Sequence, residues 1–394
     1  MLDRRQLLSF ALLPAAWPAV VSADPRSPGE RLLILVELRG ANDGLNTWVP
    51  HAGEDARLYA RMRPTLAIAA DKVIGLTAER GLHPALAALE PLWTAGEMAV
   101  IDGLGYPQPN LSHFRSIEIW DTASRSNEYL ADGWLARAFA EHPPPTYFLA
   151  DGVSIGGADP GPFAAGRRTL SIASPEALVR QSRLASAAGA AARDGQRGLA
   201  HVLRLEAEAR SAGARLALDR KLETLFPGHG FGQQARAAMQ VLAGSPGVAA
   251  LRIGLGSFDT HQAQAGTHAA LLRQLADGVL ALREALSELG RWPQTIIITY
   301  CEFGRRPHEN ASGGTDHGTA NVQFAFGGAI RGGLYGRAPA LTALDTTGNP
   351  AHTVDFRSFY ATVLRDGWGL TAASAARVLG GDFPTLGFIR SKAA

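Results

Sequence analysis

The chain has 394 residues, 46% of them apolar, and its 38 basic and 36 acidic side chains leave a net charge of +2. That content supplies a sizeable core and excludes global disorder, while the balanced charge gives no support to a nucleic-acid partner, which would want a clustered basic face. The single cysteine, Cys301, excludes an internal disulfide framework and a multi-cysteine zinc site.

The opening stretch "MLDRRQLLSFALLPAAWPAVVSADP" has an arginine pair, Arg4 and Arg5, then a mostly apolar run, then a small-residue cleavage site after Ala23. This layout predicts a twin-arginine secretory signal over residues 1–23 and a periplasmic or secreted mature protein over 24–394. Twin-arginine export moves folded proteins, which suits a protein that takes up a cofactor before it leaves. The apolar run is short and broken by proline, and no later run reaches the ~18 apolar residues of a membrane span.

Five aliphatic runs follow: "RLLILVEL" (31–38), "EMAVIDGLG" (97–105), "ALRIGLGSF" (250–258), "TIIITY" (295–300) and "VQFAFGGAI" (322–330). They are continuous rather than alternating, as strands buried on both faces of a parallel sheet should be. Helical spacing lies between them, first at Leu82, Leu86 and Leu89. A longer pattern runs through Leu271, Leu272, Leu275, Val279, Leu282, Leu286 and Leu289 and stops at Gly290. The expected fold is α/β, with a mostly parallel central sheet and helices on both faces. Residues 174–245 are rich in Ala and Arg and read as a helical insertion, with "GAAARDGQRG" as a flexible loop within it. No repeat or linker splits the chain, so 24–394 reads as one domain.

Ligands in open α/β sheets bind beyond the carboxyl ends of the strands. After the first strand come Asn42 and Asp43, and after the second Ser112 and His113. After the third come Asp259, His261 and His268, and after the fourth Glu302, Arg305 and His308, then Asp316 and His317. The right-handed crossover rule puts these ends on one edge of one sheet. Asp43 is either a ligand or a turn residue of Asn-Asp-Gly type. Asp259 and His261 project to one side if extended, although Asp259 alternatively caps a helix. His268 is a ligand or a solvated first-turn residue. Asp316 and His317, on the loop "NASGGTDHGTAN", offer hard oxygen and imidazole donors suited to Zn²⁺ or Mn²⁺. Ser112 is either an N-cap or a nucleophile activated by a metal, with Ser116 a weaker substitute. Arg305 is an anion clamp or a surface charge. Cys301 receives no role. No GxxxxGK[ST] or GxGxxG motif occurs at these ends, which weakens nucleotide-dependent readings.

The segments "LRGANDGLNTWVP", "GLHPALAAL", "GLGYPQPNLSHFRSIEIW", "FDTHQAQ", "CEFGRRPHENASGGTDHG", "GGAIRGGLYG" and "TVDFRSFYATVL" resemble the bacterial exported family labelled domain of unknown function 1501. The resemblance runs from about Leu32 to Leu364. It implies a fold of the alkaline phosphatase and sulfatase superfamily and, in active members, a dinuclear metal site with a Ser, Thr or Cys nucleophile. Carried over residue by residue, Asp43 matches the first metal-binding Asp and Ser112 the nucleophile. Asp259 with His261 or His268 resembles the Asp and His pair, and His352 the late histidine. Asp316–Gly318 resembles the Asp-His-Gly of metal-dependent phosphoglycerate mutases. One departure stands out: "EFG" at Glu302–Gly304 directly follows "TIIITY", and "DHG" comes a dozen residues later.

The expected function is metal-dependent hydrolysis or transfer at a phosphate or sulfate ester, small or polymeric. Ser112, Arg305 and Glu302 would act catalytically, and Asp43, Asp259, His261, His268, Asp316, His317 and His352 would hold one or two divalent ions. A non-catalytic binding or assembly module that keeps the fold is the alternative. A carbohydrate-directed enzyme with Asp43 and Glu302 as paired carboxylates is a third reading.

Overall fold

Every residue of Leu32–Leu38 is buried, and the strand's alternation divides its side chains between two cores. Leu32, Ile34, Val36 and Leu38 enter one, and Leu33 and Leu35 enter the other. This continuous apolar run is therefore the middle of a sheet covered on both sides. The computed structural model describes residues 31–184 and 197–390. The expected signal over 1–23 and most of the expected loop "GAAARDGQRG" lie outside the described residues.

In chain order the strands are β1 (Leu32–Leu38), β2 (Trp48–Pro50), β3 (Ile74–Gly75), β4 (Arg80–Leu82), β5 (Met98–Gly105), β6 (Ala150–Ile155) and β7 (Thr169–Ile172). They continue as β8 (Val248–Leu255), β9 (Thr295–Tyr300), β10 (Arg305–Glu309), β11 (Thr315–His317), β12 (Asn321–Phe326), β13 (Gly333–Gly336) and β14 (Val354–Asp355). The main sheet has nine strands in the order β13-β5-β12-β9-β1-β8-β6-β7, with β14 also on β5. Its pairings are parallel except those of β12, which runs antiparallel to both β5 and β9. The fold is thus mixed α/β with a largely parallel central sheet.

On one face lie the helices Gly230–Ala243 and Gln264–Glu288, the latter burying Leu271, Leu272, Leu275, Val279, Leu282 and Leu286. Gly290, at φ +67, stops that helix in the left-handed conformation. The other face is covered by His113–Thr122, Trp134–Glu141, Phe356–Thr362 and Ala372–Leu379. The middle of the chain contributes the helices Pro175–Leu184, Arg197–Arg215 and Gly230–Ala243.

Strands β6 and β7 carry no aliphatic run ("ADGVSI", "TLSI") and are absent from the strand pattern expected of the sequence. The run "VQFAFGGAI" is a strand only to Phe326. Its reversal matters for the site. Strands β1, β5, β8 and β9 all leave at one edge, and β12 enters at that same edge. The connection from Cys301 to Ala320 must therefore stay there.

A buried guanidinium fixes this edge. Arg63 bonds both carboxylate oxygens of Asp43, at 2.6 and 3.0 Å, and also Asn46 Oδ1 and the carbonyls of Arg306 and Pro307. Burial alone would raise the Asp43 carboxyl, but Arg63 and the Gln264 amide hold it below the ordinary carboxylate range. Arg63→Met should cost about 3–5 kcal/mol in denaturant unfolding at pH 7, because it strands a buried charge. The lowered Asp43 carboxyl contributes stability above its unfolded pKa of about 3.9 and loses it as pH falls through the folded value. The stability gap between the wild type and Asp43→Asn should therefore shrink below about pH 4.

Candidate metal centre

Four segments meet beyond the strand ends. The first leaves β1 through Gly40, at φ +105, where a Cβ would lie 2.5 Å from the Asp259 nitrogen. Only glycine lets this loop approach the one after β8 so closely. The Gly40 N–H donates to Glu302 Oε1 at 2.9 Å. The second segment opens the helix His113–Thr122 after β5, with His113 as its first residue. The third is Asp259–His261, after β8.

The fourth is the hairpin β10–β11. Its base closes where Gly318 N–H donates to the Gly304 carbonyl at 2.8 Å and Gly304 N–H donates to the Thr319 carbonyl. Glu302-Phe303 and Asp316-His317, separated in sequence, are thereby brought side by side. The tip packs on the third segment: Asn310 Nδ2 donates to the His261 carbonyl and to Asp316 Oδ1. A Cβ on Gly314 would lie 2.2 Å from the His261 carbonyl carbon. The glycines around Asp316-His317 are thus the consequence of backbone contact.

Three imidazoles converge. His113 Nε2 lies 3.0 Å from His317 Nε2, which lies 3.0 Å from His261 Nε2. Asp259 joins them, with Oδ1 3.0 Å from His261 Nε2 and 3.3 Å from His317 Nε2, and Oδ2 3.4 Å from His113 Nε2. The far ring nitrogens are held by oxygens. His113 Nδ1 meets Glu302 Oε1 at 2.8 Å, His317 Nδ1 meets the Leu111 carbonyl at 2.9 Å, and His261 Nδ1 faces Asp316 Oδ1 at 3.4 Å. The Phe303 ring lies against His113 and His317, with centroids 4.9 and 4.7 Å away.

These partners decide the tautomers. A carbonyl only accepts, so His317 Nδ1 carries the proton. Glu302 Oε1 already accepts the Gly40 N–H, so His113 Nδ1 donates to it as well. In neutral rings the Nε2 atoms of His113 and His317 then face each other as lone pairs 3.0 Å apart, and they repel unless a proton or a metal ion stands between them. His113, Asp259 and His317 place donor atoms within 4.8 Å of one another and could hold a metal ion. Ring nitrogens, each with its second nitrogen fixed by an oxygen, together with one carboxylate, suit zinc. The Glu302 bond raises the His113 pKa, whereas burial lowers that of His317. Burial opposes ionisation of Asp259, but Arg305 and the histidines bring it to about 2.

Arg305 is buried and is not free to clamp an anion. Its guanidinium donates to the carbonyls of Gly40, Ala41, Phe258 and Thr315 and to Asp259 Oδ1 at 2.6 Å. Ser112 is exposed at the N-cap position, and its side chain makes no capping bond. Ser116 is buried and bonds the Glu302 carbonyl. Burial pushes the Cys301 thiol up to about 12.

The structure brings together Asp259, His261, Asp316, His317, Glu302 and Arg305 from the residues singled out in the sequence. Three others stand apart. Asp43 is engaged by Arg63 and Gln264. His268 is fully buried on Asn42 Oδ1 at 3.0 Å, with its pKa lowered by burial to about 4. His352 packs on Gly105. His113 was offered by its strand end but passed over for its neighbour Ser112. Its signal was the first position of a helix opening directly over the sheet edge.

No curated protein matches the sequence. Solved structures with a likeness include one from Bacteroides thetaiotaomicron concerned with metabolism of multiple glycosaminoglycans (12% identity, 91% of this chain and 77% of that one, TM-score 0.42). Another is the lipoteichoic acid synthase LtaP from Listeria monocytogenes (8%, 91% and 77%, TM-score 0.37). A third is alkaline phosphatase from the Antarctic bacterium TAB5 (9%, 89% and 98%, TM-score 0.35). At such TM-scores no chemistry is carried over from them. The sequence itself matches the model of the family described as Protein of unknown function (DUF1501) over residues 93–383, and the chain belongs to that family.

Proposed function

We propose that the chain is an exported metal-dependent hydrolase or transferase acting on a phosphate or sulfate ester. The observation that carries this reading is the meeting of the His113, His261 and His317 Nε2 atoms with Asp259. In this reading these four residues hold a single Zn²⁺ or Mn²⁺ ion, since Asp43 and His268 are engaged by other side chains and His352 is not among the residues that converge. Such an ion supplies Lewis-acid polarisation and positive charge beside a developing oxyanion. Glu302 keeps the proton on His113 Nδ1, so that Nε2 faces the centre as a lone pair. Asp316 orients His261, and Arg305 positions Asp259.

Ser112 is the candidate nucleophile. It is exposed one residue before His113, at the start of a ten-residue helix. The free N–H groups and positive end of that helix favour an anionic ester beside it. Export rests on the twin-arginine pattern of residues 1–23, and no described helix is long and apolar enough to cross a membrane. The substrate is accordingly an anionic ester met in the periplasm or outside the cell. The second reading, a metal-binding module without turnover, is favoured by the full engagement of Arg305, whose guanidinium is not available to an anion.

Metal analysis of the purified mature protein should give about one ion per chain, and His317→Ala should abolish it. Glu302→Gln should weaken the affinity by ~10–100-fold in calorimetry, with the fold intact, because a residue behind a ligand is changed. A wild type that takes up neither Zn²⁺ nor Mn²⁺ after reconstitution would overturn the metal centre.

The loaded protein should release p-nitrophenol from p-nitrophenyl phosphate or sulfate and stop on chelation. Ser112→Ala should then lower kcat by at least ~100-fold while retaining the metal. Unchanged turnover would remove Ser112 from the mechanism. Bound metal with no turnover of any ester would leave the binding module.

A further inference from the structure

A cavity opens on the same edge of the sheet. It has a volume of about 260 Å³ and lies over the ends of β1, β8 and β6. The side chains that matter in it are Glu37, Arg39, Ser154, Asp159, Gln234 and Arg252. It adjoins the histidine cluster because both use the loops after β1 and β8. Arg39 faces the cavity, and the next residue, Gly40, donates to Glu302. Arg39 N–H donates to the Leu255 carbonyl, and Phe258 N–H donates to the Arg39 carbonyl, so these two loops are tied together between cavity and cluster.

The cavity is lined by paired charges. Arg252 and Glu37 are buried and meet at 2.7 Å. Arg39 bonds both oxygens of Glu37 at 3.0 Å, and Arg252 bonds Asp159 at 3.0 Å. Arg252 also donates to the Tyr300 hydroxyl and to Ser154 Oγ. Arg39 and Asp159 are 60% and 56% exposed and stand 3.6 Å apart. A buried pair thus holds an exposed pair of opposite sign in place. Burying such a network is costly and contributes little net stability by itself, so its presence at a cavity points to a ligand.

The pairing selects the kind of ligand. A second anion would meet guanidiniums already faced by carboxylates, and a cation would meet carboxylates already faced by guanidiniums. An aromatic base would want a stacking partner, and none of the described lining residues is aromatic. A group that donates and accepts at neighbouring atoms suits Arg39 beside Asp159, and vicinal hydroxyls do this. The volume suits one such ring. We propose that this cavity takes a sugar ring of a carbohydrate ester whose phosphate or sulfate group reaches the histidine cluster. This proposal rests on the ester-cleaving reading above and adds the substrate class.

The test uses the metal-loaded mature protein, wild type and with Arg39→Ala or Asp159→Asn. The probes are the 6-phosphates and 6-sulfates of glucose, galactose and N-acetylglucosamine, with ethyl phosphate and ethyl sulfate as sugar-free references. At least one sugar ester should exceed its reference in kcat/KM, and each variant should lower that ratio about tenfold or more, mainly through KM, since a hydrogen bond to a charged group is lost. Turnover of the reference esters with no sugar preference, or a ratio unmoved by both variants, overturns the sugar subsite and leaves the ester reading standing. If no ester is turned over, calorimetry with the same sugar esters decides. Binding weakened about tenfold by Asp159→Asn supports the subsite while the hydrolase reading falls. No binding, or binding indifferent to both variants, overturns the subsite together with the hydrolase reading.

Discussion

The site hangs on one buried side chain. The Arg305 guanidinium bonds two carbonyls of the loop after β1, one carbonyl and the Asp259 carboxylate of the loop after β8, and one carbonyl of its own hairpin. A buried cation without partners would be prohibitive. Here each side of the planar fork has acceptors, and the charge meets the carboxylate it positions. The hairpin is gripped from the other side by Arg63, which takes the carbonyls of the next two residues, Arg306 and Pro307. Two arginines thus do with side chains what the main sheet does with its ladder. They hold irregular backbone rigid enough to aim histidines.

The second constraint is topological. Had β12 been another parallel strand, the chain after β9 would have crossed over the sheet before returning. Because β12 is antiparallel, the connection from Cys301 to Ala320 remains on the ligand-bearing edge and folds on itself. That is why an Asp-His pair a dozen residues beyond the strand end stands beside Glu302. Phe303 then serves as the common wall for the rings of His113 and His317. The displaced Asp-His-Gly and the strand-end Glu-Phe-Gly are parts of one site.

The charges on this edge follow two different designs. In the cavity beside the cluster, every formal charge faces its opposite. In the histidine cluster the ring nitrogens face one another, and the single carboxylate among them is shared with Arg305. Paired charges organise hydrogen bonds without attracting an ion, whereas ring nitrogens that face one another call for a proton or a metal ion between them. In the proposed reading the two neighbouring sites take different halves of one ester.

The sequence by itself determined the sheet's inner strands, the long helix ending at Gly290, and the edge where Asp259, His261, Asp316 and His317 lie. Those are local properties: continuous apolar runs, helical spacing, and polar residues after a strand. Strands β6 and β7 escaped because short strands containing Gly and Ser carry no such period. The tertiary structure alone decided which candidates meet. Asp43 looked like a ligand until Arg63, 20 residues on, took both its oxygens. His113 looked incidental until Glu302, 189 residues on, fixed its ring. A carboxylate or imidazole is a ligand only if its lone pairs are left free and aimed, and that depends on partners which no local pattern reveals.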